Sequence, residues 1–197
     1  DSMRASIPLA VRTLGRAVSR LDYEDFARAF AGVSKAHAAV LPLRGGEAIV
    51  VTVAIEGGPE RLSALATALR THGDPHVQVA VLAYQQATFR LALKVAIAPE
   101  YARDEVLAGV EAALRSAFAF TAREFTQPVF ASHAIAVVHT VPGVVAADLD
   151  RLYTGATPSL ADRLLPQQPG VTPQGTPLPA GVLVLDPAPL DYLEPLT

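Results

Sequence analysis

The side chains able to do chemistry in this 197-residue chain are five histidines, a set of helical carboxylates and a few paired glycines. A zinc site needs His or carboxylate ligands converging on one point. His72 and His76 lie four apart, but Gly73 and Pro75 break the helix that would align them. His133 and His139 are six apart, roughly 240° around a helix, and so point to different sides. His37 stands alone in a strand-like run. No serine sits in a GxSxG strand–turn–helix nucleophile. Gly45-Gly46 and Gly57-Gly58 are isolated pairs rather than a GxGxxG or P-loop, and read as turns. Glu100, Asp104, Glu105 and Glu111, interleaved with Arg103 and Arg115, read as a solvated helix face. Tyr23, Phe26 and Phe30 recur at helical spacing and read as core rather than as a ligand groove. No catalytic, cofactor-binding or metal-ligating residue is therefore expected, no cofactor is implied, and the chain does not read as an enzyme.

The elements around these residues are better defined. Residues 22–40, DYEDFARAFAGVSKAHAAV, read as a helix running through Gly32-Val33 into a strand. Residues 132–150, SHAIAVVHTVPGVVAADLD, repeat the arrangement around Gly143-Val144. Gly32 and Gly143 stand where a helix stops and the chain turns into a strand, so they are expected to be structural turn residues in the left-handed region. Asp22 is the expected N-cap of the first helix. Lys35–Leu43 and Ala48–Ile55, joined by Arg44-Gly45-Gly46-Glu47, predict a hairpin. Pro59 opens a second helix at a position where its missing N–H does no harm, with Leu62, Leu65, Ala66 and Leu69 as its apolar stripe. Val77–Ala83 and Thr88–Ala98 predict strands. A third helix is expected over Tyr101–Phe118, and a fourth, capped by Ser132, to about Thr140. Val144–Leu149 is the last predicted strand.

Val53-Ala54-Ile55 before the second helix matches Val95-Ala96-Ile97 before the third, and Leu69-Arg70 matches Leu114-Arg115. This echo predicts an α+β fold: two related halves of antiparallel or mixed sheet, about 21–84 and 85–153, with helices packed on one side and ferredoxin-like elements. Chance similarity among Ala/Val-rich segments competes with that reading. Residues 1–20 read as a linker or arm from a missing N-terminal region. Residues 154–197 form a Pro-rich C-terminal extension or arm, with nine of the sixteen prolines after residue 155. Such a segment builds no core of its own, so removing 156–197 is expected to leave 21–153 folded. Gly181–Leu185, GVLVL, is too apolar for a solvated linker and is expected to add to a sheet edge or dock on a neighbour.

Composition narrows the function classes. Half the residues (51%) are apolar and the formal net charge is −3 with no basic block, which argues against a nucleic-acid surface. There is no cysteine, hence no disulfide, thiolate site or thiol nucleophile. No apolar run reaches the ~18 residues of a membrane span, and the first residues show no signal-peptide pattern.

Four stretches resemble the baseplate J-like family in order and spacing. RTLGRAVSRLDYEDFARAFAGVSKAHA (12–38) is similar to the segment of that family where a DYEDFA…GV.KA pattern follows the N-terminal domains. VTVAIEG (51–57), FRLALKVAIAPEYARDEVLAGVEAAL (89–114) and FTQPVFASHAIAVVHTVPGVVAADLDRLY (125–153) resemble its later strand, strand–helix and closing segments. The likeness covers about 12–153 and points to the baseplate assembly protein branch. It implies a structural wedge component of the baseplate in contractile phage tails and tail-like injection systems, concerned with assembly and sheath triggering. The implied partners are other baseplate and wedge proteins and further copies of the chain, with no nucleic acid, membrane span or small-molecule substrate. The implied location is the cytoplasm during assembly, then the phage tail or tail-like particle. The internal echo favours a different class, a small-molecule-binding regulatory α+β module.

Overall fold

The computed structural model describes residues 17–196, which divide into two compact units. The first holds residues 17–85 with Gln167–Gly181; the second holds Gln86–Pro166 with residues 182–196. Both mix helices with open sheets, so the architecture is α+β, with four α-helices among the described residues.

The first unit runs α1 (Arg20–Ala29), β1 (Val33–Leu43), β2 (Gly46–Ile55), α2 (Gly58–His72) and β3 (Gln78–Ala83). Its sheet has the order β1-β2-β3. Arg44 and Gly45 make a two-residue loop, so β1 and β2 pair antiparallel from Leu43↔Gly46 back to Val33↔Ile55. The helix α2 carries the chain back to the start of the sheet, which lets β3 pair parallel to β2. Period-2 alternation puts Ala36, Ala38, Ile49, Val51, Val53 and Val79 on one face, where they meet Tyr23 and Ala27 of α1 and Leu65 and Leu69 of α2. Phe26 and Phe30 pack against this cluster from its rim.

The opposite face of β2 is covered as well. Ala48, Val50, Thr52 and Ala54 are buried, and the Thr52 hydroxyl accepts the Ala180 N–H at 2.9 Å. Ala180 follows a small hairpin of β8 (Gly170–Val171) and β9 (Pro177–Leu178). Burial on both sides accounts for the near-continuous apolar run Ala48–Ile55.

Ser19, not Asp22, caps α1. The Ser19 hydroxyl accepts the Asp22 N–H at 3.2 Å, and the Asp22 carboxylate accepts the Ser19 N–H at 2.8 Å, a reciprocal capping box. Of the expected arm 1–20, residues 1–16 lie outside the described residues. Ala17 is buried in the first core, and its N–H bonds to the His72 carbonyl at 2.9 Å.

The second unit is built on β4 (Gln85–Ile97), with α3 (Arg103–Ala117), β5 (Val129–Phe130), α4 (Ala131–Val138), β6 (Val144–Thr154), β7 (Arg163–Leu164), β10 (Gly181–Leu185) and β11 (Tyr192–Pro195). β6 pairs antiparallel with β4 along one edge, from Phe89↔Thr154 to Ile97↔Val144. On the other edge the carbonyls of Phe89, Leu91 and Val95 accept N–H groups from Asp186, Asp191 and Leu196. These carbonyls share one parity, so β10 and then β11 lie end to end along the same edge of β4. Phe89, Leu91, Leu93 and Val95 pack against Val106, Val110, Leu114 and Phe118 and against Ala134 and Val138 of α4. Phe89 and Phe118 meet edge to face, centroids 5.3 Å apart at 87°.

Several boundaries differ from expectation, and β4 begins at Gln85 rather than Thr88. The third helix begins at Arg103, because Pro99–Tyr101 form a turn closed by the Tyr101 N–H on the Ala98 carbonyl. Ser132 lies inside α4 rather than at its cap, a position held by Phe130 without a side-chain bond. The last predicted strand continues past Leu149 to Thr154. Each stretch of the internal echo leaves a long strand and enters a 15-residue helix, with Leu69 and Leu114 both fully buried. The paths then diverge, to the parallel strand β3 in one unit and to a further helix in the other.

Gly32 has φ +86° and Gly143 φ +91°, each directly before a strand. A Cβ on Gly143 would approach the Tyr101 ring at 2.7 Å, and one on Gly32 would meet the Arg61 guanidinium at 2.9 Å.

The Pro-rich segment supplies core to both units. Val182, Leu183, Val184 and Leu185 are buried, so cutting at 156 opens the second core, contrary to the expectation from composition. A chain ending at Gly181 is expected to lose cooperative unfolding of the second unit, read by urea denaturation. Gly143→Val, which combines an unfavourable φ with a ring contact, should cost about 2 kcal/mol or more, and Ala146→Val on β6 under about 1 kcal/mol. Equal denaturation midpoints for the two variants would refute this.

Candidate functional site

The residues that could do chemistry are dispersed. No group of three or more His, Asp or Glu able to hold a metal occurs among the described residues. His72 packs on Phe26 with centroids 5.3 Å apart, and His133 meets the Phe118 ring at 5.2 Å. The Tyr23 hydroxyl accepts the Asp74 N–H at 3.1 Å. Glu111 pairs with Arg115 one turn on, at 2.7 Å.

Two charged assemblies stand out instead, and both hold strands. In the first unit Glu24, on the sheet-facing side of α1, is buried against the outer edge of β1. Its carboxylate accepts the Ala38 N–H at 3.0 Å and pairs with Arg28 at 2.9 Å and Arg20 at 3.5 Å. Arg20 in turn donates to the Ala38 carbonyl at 2.9 Å and Arg28 to the Ala36 carbonyl at 3.3 Å. The outward N–H and C=O groups of an edge strand are thus satisfied by helix side chains. His37 lies 3.7 Å from Glu24. Burial pushes its imidazole below the usual histidine range, with Arg20 and Arg28 adding to the shift and Glu24 opposing it.

In the second unit the Asp191 carboxylate, just before β11, accepts from Arg90 at 2.6 Å and from the Tyr153 hydroxyl at 2.6 Å, and pairs with Arg151 at 3.7 Å. Tyr192 donates to Asp150 at 2.7 Å, Lys94 pairs with Asp150 at 3.2 Å, and Arg151 stacks 5.3 Å from the Tyr192 ring. Arg115 reaches the carbonyls of Asp186 and Ala188, and Arg90 that of Pro189. Burial raises the Asp191 carboxyl, but Tyr153 and Arg90 outweigh it, so the group stays below the usual carboxylate range. Tyr192 first, then Lys94, holds Asp150 low. Deeper in this unit Arg123 is almost wholly buried, donating to the carbonyls of Gln127 and Pro128 at 2.8 Å each and to Leu183 at 3.4 Å.

Sequence reasoning missed Glu24, Arg123 and Asp191. The spacing of Arg20, Glu24 and Arg28 at i and i+4 was a usable signal for the first. Arg90 and Asp191 are 101 positions apart, and nothing local marks them.

Residues 15–82 match the family model described as the Baseplate J-like central domain, a span that covers α1 through β3. Over that segment the chain is similar to the baseplate J-like family. No curated protein matches it. Among solved structures, the chain is similar to a chain of the anti-feeding prophage (AFP) baseplate, six-fold symmetrised, with a TM-score of 0.62 and 11% identity. That likeness, which at this identity is one of fold, covers 93% of this chain and 41% of the other.

Stability should respond to pH with two slopes. Because the folded His37 binds its proton less readily than the unfolded one, stability falls as pH drops below about 6.5 and levels off below the depressed value. His37→Gln should flatten that slope in pH-dependent melting. The contribution of Asp191 is complete above the ordinary carboxylate range and is lost as pH falls through its lowered folded value. Asp191→Asn should lower the melting temperature at pH 7 and remove part of the acid-side loss. A variant with an unchanged profile would contradict this account of the seam.

Proposed function

We propose that the chain is a structural component of the baseplate wedge of a contractile tail or tail-like injection system. In this reading it joins neighbouring baseplate proteins during assembly and takes part in passing the trigger for sheath contraction. The observation that carries it is the central-domain match over 15–82, which spans nearly the whole first lobe of the fold up to Gln85. The fold shared with an anti-feeding prophage baseplate chain supports it. So does the use made of the charged groups, whose donors and acceptors hold strands within the chain. No helix among the described residues is long and apolar enough to cross a membrane.

The partners in this reading are other baseplate and wedge proteins and copies of the same chain, first in the cytoplasm and then in the particle. Contacts repeated around a ring give avidity without tight pairwise binding, a task suited to rigid sheets with defined edges. Deleting the gene in its native host is expected to abolish sheathed particles bearing a baseplate, seen by negative-stain microscopy, with recovery on supplying the gene in trans. Normal numbers of intact particles from the deletion strain would sink the proposal.

A further inference from the structure

The two edges of the first sheet are finished differently. The outer edge of β1 is closed by Glu24, Arg20 and Arg28 and interrupted by Pro42, which has no N–H to offer. β3 lies at the opposite edge. The Tyr84 N–H bonds to the Val53 carbonyl, and with the parallel register this fixes which residues of β3 face outward: Val79, Val81 and Ala83. Among the described residues, one bond reaches these outward groups, from Arg70 Nη2 to the Val79 carbonyl at 3.4 Å. Among the described residues nothing bonds the outward N–H and C=O groups of Val81 and Ala83.

A hollow sits at each end of this edge. At the start of β3 a hollow of about 430 Å³ is lined by Arg70, Asp74, His76 and Gln78 together with Val77 and Val79. The Asp74 carboxylate is engaged within its own turn by the His76 N–H at 2.8 Å. Arg70 spends one long hydrogen bond on Val79, and a guanidinium has five N–H donors in all. At the end of β3 an apolar hollow of about 270 Å³ is lined by Val53, Ile55, Pro59, Leu62 and Ala83. Both hollows border α2, so they lie on the same face of the sheet. From Gln78 to Ala83 an extended chain covers roughly 16 Å, and side chains four residues apart on an added strand would point to that one face.

We propose that the outer edge of β3 receives an extended acidic segment of another protein as a further strand, seating a carboxylate against Arg70 and an apolar side chain in the hollow beside Leu62. The main chain of the incoming segment supplies the missing partners of Val81 and Ala83, and the two hollows set its sequence preference. This deepens the baseplate reading by naming one surface for contact with a neighbour, and rests on that reading for the identity of the partner.

The test uses the purified full chain and short synthetic peptides with Glu and Leu four residues apart in a Thr/Val background, made in both orders, plus the same peptides with Lys for Glu. Hydrogen exchange in the free chain should be fast at Val81 and Ala83 and slow at Ala80 and Leu82. One Glu peptide should slow exchange at Val81 and Ala83, and its Lys counterpart should bind about tenfold more weakly, the loss of one charge-assisted contact. Arg70→Glu should reverse the preference between the two. Val81→Pro should abolish binding while the chain still unfolds cooperatively, since the N–H it removes faces out of the sheet and only a partly buried side chain is lost from the first core. No protection by either Glu peptide, or equal binding of Glu and Lys peptides, overturns the proposal. Protection that rises with protein concentration alone also overturns it, by making the occupant a second copy of this chain. Because the readout needs no particle, a negative result beside a strain that loses its particles removes this edge assignment and leaves the baseplate role standing.

Discussion

The N–H of Ala38 points out of the sheet and away from water, and the Glu24 carboxylate is what it finds there. A strand at the rim of a sheet must give its outward N–H and C=O groups a partner, leave them in water, or expose them to another chain. β1 is finished by a helix whose side chains imitate a neighbouring strand. Arg20 and Arg28 pair with Glu24 at that depth, and the same cations bond the carbonyls of Ala36 and Ala38. One carboxylate thereby fixes the position of α1, the register of the β1 edge and the surroundings of His37.

The second unit meets the same demand with main chain instead. β4 has β6 on one edge and the pair β10 and β11 on the other, so its hydrogen-bonding groups are spent inside the sheet. The two added strands are held differently. β10 is buried along its whole length and is secured by Leu183 and Leu185 in the core. β11 is only half-buried, and a band of charged and phenolic groups on β4 and β6 holds it in place. Exposed ion pairs contribute little singly; here several converge on Asp150 and Asp191, and the aromatic ring of Tyr192 lies among them.

Local patterns carried much of this into the sequence. The hairpin was legible because Arg44-Gly45-Gly46 separates two β-prone runs, and α2 because Gly57, Pro59 and the Leu62, Leu65, Leu69 stripe agree. The GVLVL run was legible as an addition to a sheet edge because five apolar residues stand between prolines. Glu24 was not, since an acid in the first turns of a helix reads as a favourable surface charge until the strand opposite it is known. Ser19 was overlooked as a cap because Asp22 has the same competence three residues later, and the capping box uses both. Arg123 stands beside Glu124 in sequence, but its partners in the fold are carbonyls, which leave no trace in residue type. The seam around Asp191 joins residues 38 to 101 positions apart, beyond the reach of any periodicity.

The return of residues 167–196 to both units has a bearing on biosynthesis. Until residues 167–196 have been synthesised, β2 lacks the cover that Ala180 anchors and β4 lacks both strands of one edge. Neither unit can reach its final state as it emerges, so the nascent protein carries an unpaired β4 edge until translation passes residue 195. Contacts this distant in sequence close slowly and leave an interval open to mispairing. Synthesis of residues 167–196 is then the event that seals both units, and a chain terminated before them would be marked by sticky surface for chaperones or proteases before it could join any larger structure.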